Sequence, residues 1–248
     1  MAFFETQNIN KAYENEDIIE NINVSLNRGE LVSLLGPSGI GKTTLFNIMS
    51  GLEKPDSGKV ILDGNDVTMI PGQVSYMQQK DLLLPFMKII DNVSIPLRLK
   101  GMNKKEARAK SSEYMMEFGL EGCEEKYPSQ LSGGMRQRAA FLRAYLYSEK
   151  IMLLDEPFSA LDTITKNAMH QWYKKVSKIH NTTTFFITHD IDEAILLSDK
   201  IYIMEGPVGH ITEEFKLDYI YERNLDFLLT DECIELKRRI LRNINSKS

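Results

Sequence analysis

The stretch Leu31-Val32-Ser33-Leu34-Leu35-Gly36-Pro37-Ser38-Gly39-Ile40-Gly41-Lys42-Thr43 decides the fold. A compact apolar strand, residues 31–35, runs straight into a glycine-rich turn. Residues 43–50 beyond the turn read as a helix stopped near Gly51. The turn fits G-x-x-x-x-G-K-[ST] without departure, in the strand-to-helix context this motif demands. Its glycines let backbone N–H groups close around phosphate oxygens, and the helix start behind them adds positive partial charge. The reading puts Lys42 on the β- and γ-phosphates of a nucleotide and the Thr43 hydroxyl on Mg²⁺. Gly36, Pro37, Ser38, Gly39, Ile40, Gly41 and Thr44 complete the expected phosphate lining.

Upstream of this turn the chain predicts antiparallel strands. Ile22, Val24 and Leu26 alternate with Asn23, Ser25 and Asn27, the period of a half-buried strand. Residues 55–58 read as a turn, and 59–62 and 74–77 as further strands. From about residue 85 to 147 the composition shifts to Lys, Glu, Ala, Met and Arg, which predicts a helical lobe inserted in an α/β core. A helix over 103–118 starts with an Asn cap, and its basic side chains, Lys104, Lys105, Arg108 and Lys110 with nearby Lys100, read as a solvated face. Strands at 151–154, 184–187 and 201–204 alternate with helices at about 164–180 and 190–197. The first of these helices is expected to bury Met169, Trp172, Val176 and Ile179 as one stripe. In the tail, residues 225–244 place Leu229, Cys233, Leu236, Ile240 and Ile244 on one helical face that packs on the chain's own core. The fold class is therefore α/β: a mainly parallel sheet with helices on both faces, an N-terminal antiparallel β subdomain and an inserted α-helical subdomain. The expected division is 1–222 for the main domain, with the lobe at about 85–147, and 223–248 for a C-terminal helical extension.

Two further segments belong to the same sheet edge. Ile151-Met152-Leu153-Leu154-Asp155-Glu156 is a buried strand ending in two carboxylates, and such strands deliver their C-terminal residues to a nucleotide crevice. Asp155 is expected to hold Mg²⁺ and Glu156 to act as general base on the attacking water. Thr188-His189-Asp190 ends the strand at 184–187, so His189 can meet the γ-phosphate or orient the water. Leu131-Ser132-Gly133-Gly134-Met135, about 95 residues after Gly36, precedes a helix expected over 135–147. It is a second glycine-rich helix start with a hydroxyl, again an anion-binding shape. One chain already carries a full phosphate site, so this half-site needs a second nucleotide or the nucleotide of another copy; a symmetric dimer in which each copy's turn caps the other's γ-phosphate satisfies both.

In their order and spacing these motifs resemble the nucleotide-binding subunit of an ATP-binding cassette (ABC) transporter, over about residues 3–214. The resemblance implies ATP and Mg²⁺ as ligands, ATP hydrolysis, and a homodimer closed by ATP. It also implies separate integral membrane permease subunits, an extracellular substrate-binding protein acting through them, and a cytoplasmic place on the inner face of the membrane. Tyr13 sits where the family's adenine-stacking aromatic lies. The family's γ-phosphate and Mg²⁺ glutamine has two candidates, Gln78 and Gln79; the usual six-residue spacing to Pro85 selects Gln79. Ser159-Ala160-Leu161-Asp162 matches the loop that crosses the dimer interface, so Asp162 joins Ser132, Gly133 and Gly134 as a nucleotide-side residue, and His189 matches the switch histidine. The segment from Gln79 to Phe86 resembles importers of the nitrate, sulfonate, taurine and thiamine-precursor group, although those carry Trp where this chain has Phe86.

Bulk properties fit this reading. The chain has 248 residues, 42% hydrophobic and 26% charged, with a net charge of −5. An acidic balance argues against nucleic acid as a partner. An ABC-type ATPase of DNA repair is the rival non-transport reading, but it needs long coiled-coil insertions between the phosphate turn and Leu131, for which there is no room. A regulatory ABC protein, an exporter subunit and a small-molecule P-loop kinase also compete; the kinase would need neither Ser132 nor Asp162. Cys123 and Cys233 read as separate reduced thiols. The N-terminus lacks a signal-peptide pattern, and no apolar run approaches the ~20 residues of a membrane span.

Overall fold

The computed structural model describes residues 2–14, 16–148, 150–217 and 223–245. The chain opens with β1 (Phe4–Tyr13), β2 (Glu16–Ile22) and β3 (Ser25–Leu26). The strand expected through residues 22–27 is interrupted: both pieces pair antiparallel with β1, Ile22 opposite Ile9 and Leu26 opposite Phe4. The alternation survives the break, with Ile22, Val24 and Leu26 all buried. β4 (Leu31–Leu35) then leads into α1 (Lys42–Met49). β5 (Ser57–Leu62) returns to β1, and β6 (Asn65–Asp66) completes the antiparallel sheet in the order β2-β1-β5-β6.

β7 (Ser75–Met77) begins the passage to the helical lobe of α2 (Ile89–Leu99), α3 (Lys104–Met115) and α4 (Gly133–Tyr147). Asn103 caps α3 by accepting from the Glu106 N–H at 3.0 Å, the expected start. The basic face of α3 is more than solvated. Arg108 forks onto both carboxylate oxygens of Asp91 in α2, at 2.8 and 2.7 Å, and Lys104 lies 3.4 Å from the same carboxylate. These contacts tie α3 to α2 and hold the Asp91 carboxyl below its ordinary range.

β8 (Ile151–Asp155), α5 (Thr163–His180), β9 (Thr183–Thr188), α6 (Ile191–Leu197), β10 (Lys200–Glu205) and β11 (His210–Lys216) build the main sheet. Its order is β11-β10-β4-β9-β8-β7, parallel throughout except for the edge strand β11. One face packs with α1 and the antiparallel sheet around Phe46, Phe185 and Val32. The other packs with the lobe and α5 around Phe141, Phe158 and Tyr173. The stripe expected on α5 is narrower than its spacing suggests. Met169 and Val176 are buried and Trp172 is half-buried, but Ile179 is 54% exposed. It sits in the last turn, where Asn181 at φ 47° ends the helix in the left-handed region.

α7 (Asp231–Asn245) packs Cys233 and Ile240 against α6 and β10, with Leu236 and Ile244 partly buried beside them. Leu229 does not join this stripe. It lies in a separate 3₁₀ turn, Phe227–Leu229, and is 80% exposed. The expected boundary between 222 and 223 adjoins residues outside those described. Cys123 and Cys233 are buried free thiols. Among the described residues no helix is long and apolar enough to cross a membrane.

Candidate functional site

Strand register brings the site together. Leu35 at the end of β4 pairs with Thr188 at the end of β9, and Ile187 of β9 pairs with Asp155 of β8. Met77 of β7 pairs with Leu154. The residues that follow these strands, Gly36, Gln79, Glu156 and His189, therefore leave the sheet at one edge, its carboxyl edge, where open α/β sheets bind ligands.

α1 starts at this edge with unusual chemistry. α3, α4, α5 and α6 each have a side chain capping their first-turn N–H groups. α1 has Gly41 at that position, no side-chain cap and no acidic residue in its first turn. Its N–H groups and dipole are free to meet an anion. Gly41 takes φ 98°, and a Cβ there would come within 2.5 Å of Ile19, so only glycine suits the turn. Lys42 is buried, and its Nζ donates to the carbonyls of Gly36 and Pro37 at 2.8 and 2.6 Å. Burial holds its pKa below the ordinary lysine value, and Glu156 and Asp155 work against that shift.

The carboxylates opposite are held by neighbours. Thr43 Oγ1 donates to Asp155 Oδ2 at 3.1 Å and the Tyr76 hydroxyl donates to the same oxygen at 3.3 Å. Burial raises the Asp155 pKa, opposed by these hydrogen bonds. Gln79 Nε2 donates to Glu156 Oε2 at 3.0 Å and to Ser159 Oγ at 3.3 Å. His189 Nδ1 stands 3.3 Å from Glu156 Oε1 on the other side. Gln79, Glu156 and His189 thus form one row. Gln78, its sequence neighbour, instead faces a separate groove with Arg143 and Tyr147.

A cleft lined by Tyr13, Ser38, Gly39, Gly41, Lys42, Thr43, Thr44, Gln79, Asp155 and Glu156 collects most of the expected residues. Tyr13 stands at its rim with its hydroxyl bonded to Glu53. Gly36, Pro37 and Ile40 fall outside that lining: a Cβ on Gly36 would meet the Met204 carbonyl at 2.4 Å, and Ile40 packs on the core. Tyr76, which no motif marks, reaches Asp155 across the β7–β8 pair; its only signal is a strand beside an acidic strand end. Ser159, expected only as part of the 159–162 loop, also accepts from Gln79.

The Leu131–Met135 segment is placed elsewhere. Its helix begins at Gly133 rather than at the expected 135, because the Ser132 side chain is the cap, accepting from the Met135 N–H at 3.3 Å. Ser132, Gly134 and Asp162 stand outside the phosphate cleft, and Gly133 faces a neighbouring cleft with Leu161, Glu156 and His189. Gly134 also packs closely: a Cβ would lie 3.0 Å from Thr165 Cγ2 of α5. Asp162 caps α5, accepting from the N–H groups of Ile164 and Thr165, both at 3.1 Å.

A parallel sheet with a phosphate turn at its carboxyl edge, two carboxylates opposite and an antiparallel lobe beside it define a nucleotide-hydrolysing cassette of the P-loop class. Comparison with known proteins makes this specific. Residues 19–159 match the family model described as ABC transporter, and the chain belongs to that family as an ATP-binding subunit with ATPase activity. It is 42% identical over 225 residues to the formylaminopyrimidine import ATP-binding protein ThiZ of Halalkalibacterium halodurans, covering 91% of this chain and 87% of that protein. It is 39% identical to the sulfate/thiosulfate import ATP-binding protein CysA of the same organism, where the match covers 88% of this chain and 62% of the relative. A dimeric bacterial ABC transporter cassette superposes with a TM-score of 0.73 at 31% identity, over 87% of this chain and 99% of that one.

Proposed function

We propose that this chain powers import of a small solute. In this reading two copies bind two ATP molecules head to tail, on a pair of permease subunits fed by an extracellular substrate-binding protein, with the chain on the cytoplasmic face. The observation that carries the dimer is the split of the phosphate-binding groups. The uncapped start of α1 faces Asp155 and Glu156, while the Ser132 turn opens outside that cleft. The turn then serves the nucleotide of the partner copy. Residues 1–222 act as the cassette and 223–248 as its extension.

The donor set fits Mg²⁺. Thr43 and Asp155 oxygens converge at 3.1 Å, and this cation takes few protein oxygens besides phosphate and water. Thr43, Asp155 and Gln79 would hold it. When bound, it neutralises developing phosphate charge. Lys42 and the α1 N–H groups bind the β- and γ-phosphates, and Tyr13 stacks on adenine. Glu156 takes a proton from the attacking water while Gln79 and His189 fix its carboxylate from either side. Closure follows because the closed pair makes more phosphate contacts than the open pair; a full switch takes about 5.5 kcal/mol of differential affinity. Loss of the γ-phosphate then reopens it.

Import is supported by the names of the relatives, which include importers of formylaminopyrimidine and of sulfate or thiosulfate. The test is direction. The chain and its permease are reconstituted in liposomes with ATP enclosed on the side of this subunit. Formylaminopyrimidine and sulfate, labelled, are then offered outside, and their accumulation supports the reading. ATP-dependent release of preloaded solute overturns it.

A further inference from the structure

Behind His189 lies a charged cluster that no step above uses. Glu193, in the first turn of α6, is 2% exposed and His170 of α5 is 4% exposed. Lys166, one turn before His170, places Nζ 2.6 Å from Asp190 Oδ2 and 3.3 Å from Glu193 Oε2. His170 Nε2 lies 3.4 Å from the same Glu193 oxygen. Removing one partner of a pair this deeply buried is costly, so Lys166 is bound to its place by its contact with the Glu193 carboxylate.

The cluster grips both loops of the hydrolytic row. Asp190 follows His189 directly and caps α6, accepting from the N–H groups of Asp192 and Glu193 at 3.0 and 3.2 Å. Its own N–H donates to Thr188 Oγ1 at 3.0 Å, which fixes the chain on the other side of His189. Below, the His170 ring meets Phe158 edge-on at 4.8 Å, and Phe158 is the second residue after Glu156. α5 thus touches the loop of His189 through Lys166 and the loop of Glu156 through His170. The His189 side chain itself is 60% exposed and meets Glu156 at the cleft.

We infer that Lys166 and His170 are positioning residues for ATP hydrolysis: through Asp190, Glu193 and Phe158 they set the distance between His189 and Glu156. The inference rests on the proposed role of His189. Positioning errors of about 1 Å cost up to about 100-fold in rate. Lys166→Met in the full-length chain should therefore lower kcat for ATP between about 10- and 100-fold while KM stays within about twofold. Lys166→Arg, which keeps the charge, should restore most of the rate. Because Lys166 acts through His189, Lys166→Met should change kcat by less than about twofold in a His189→Ala background. Should Lys166→Met fail to fold in a thermal melt, Glu193→Gln keeps the side-chain volume and carries the same cycle. An unchanged kcat in either single variant overturns the inference, as does an equal loss in the wild-type and His189→Ala backgrounds. Normal turnover by His189→Ala alone overturns the role of His189 and this inference with it.

Discussion

Glu156 holds φ at 44°, a conformation a non-glycine residue adopts at a cost of about 1–3 kcal/mol. Its N–H is anchored on the Ile187 carbonyl at 3.1 Å, and the Ser159 hydroxyl donates to its carbonyl at 2.9 Å. The result is a carboxylate aimed between Gln79 and His189. Glu156→Gln should lower kcat by about 10²–10⁴ and leave ATP affinity unchanged, read by single-turnover hydrolysis beside nucleotide titration. A second carboxylate sets a pH dependence of folding. Burial pushes the Asp199 pKa up from 3.8 to about 6, against a hydrogen bond from the Leu31 N–H and the nearby Arg223. The folded chain then binds more protons than the unfolded one between those two values. Stability from this site is greatest below 3.8 and falls as pH rises through about 6. Asp199→Asn removes the titration, so its cost relative to wild type should shrink from pH 4.5 to pH 7.5, by at most about 3 kcal/mol in urea unfolding. Asp155 and Glu156 were legible because they end an apolar strand, and Gln79 through the resemblance, which selects it over Gln78. The contacts of Tyr76 with Asp155 and of Ser159 with Gln79 were not, because cross-strand register and loop curvature, not spacing, make them.

Helix ends separate the two glycine turns. α1 leaves its first N–H groups uncapped, whereas α4 is closed by Ser132. Ser132 therefore has a structural duty in its own copy, and Ser132→Ala should cost about 1 kcal/mol in unfolding free energy. Gly134 adds a packing constraint the motif does not advertise, since it lies close against Thr165 of α5. The lobe was readable from composition, but α2 was not resolved within it. Pro96 interrupts its helical pattern, and its buried face includes Asp91, Asn92 and Ser94, which hydropathy does not mark as core. Asn92 offsets the cost of its burial by donating to the carbonyls of Leu84 and Met87 at 3.1 and 3.0 Å. In α7, Ile240 is fully buried, and Ile240→Ala should cost about 2–5 kcal/mol, measured by chemical denaturation. Leu229 shared the spacing of that face but not its helix, because Thr230 ends the 3₁₀ turn and its hydroxyl accepts from the Cys233 N–H at 3.3 Å.

Across the molecule, one sheet edge gathers the groups for a nucleotide's phosphates, and a separate helix start carries the Ser132 turn. The fold class was legible because a strand, a glycine turn and a helix admit few topologies, and buried strands alternate with helices after them. The separate placement of the two glycine turns was legible too, since they lie about 95 residues apart and begin different helices. What pattern alone could not show was how α5 links Asp162 at its cap to Lys166 and His170 beneath the hydrolytic row. In the proposed function, ATP joins two copies through the phosphate cleft of one and the Ser132 turn of the other. The direct measurement is the mass of Glu156→Gln in MgATP by light scattering after size exclusion, with Ser132→Arg added in the same background. The expected result is a mass twice that of the 28.4 kDa chain for Glu156→Gln and a monomer that still binds ATP once Ser132→Arg is present. A Glu156→Gln chain that stays monomeric while saturated with ATP would contradict it.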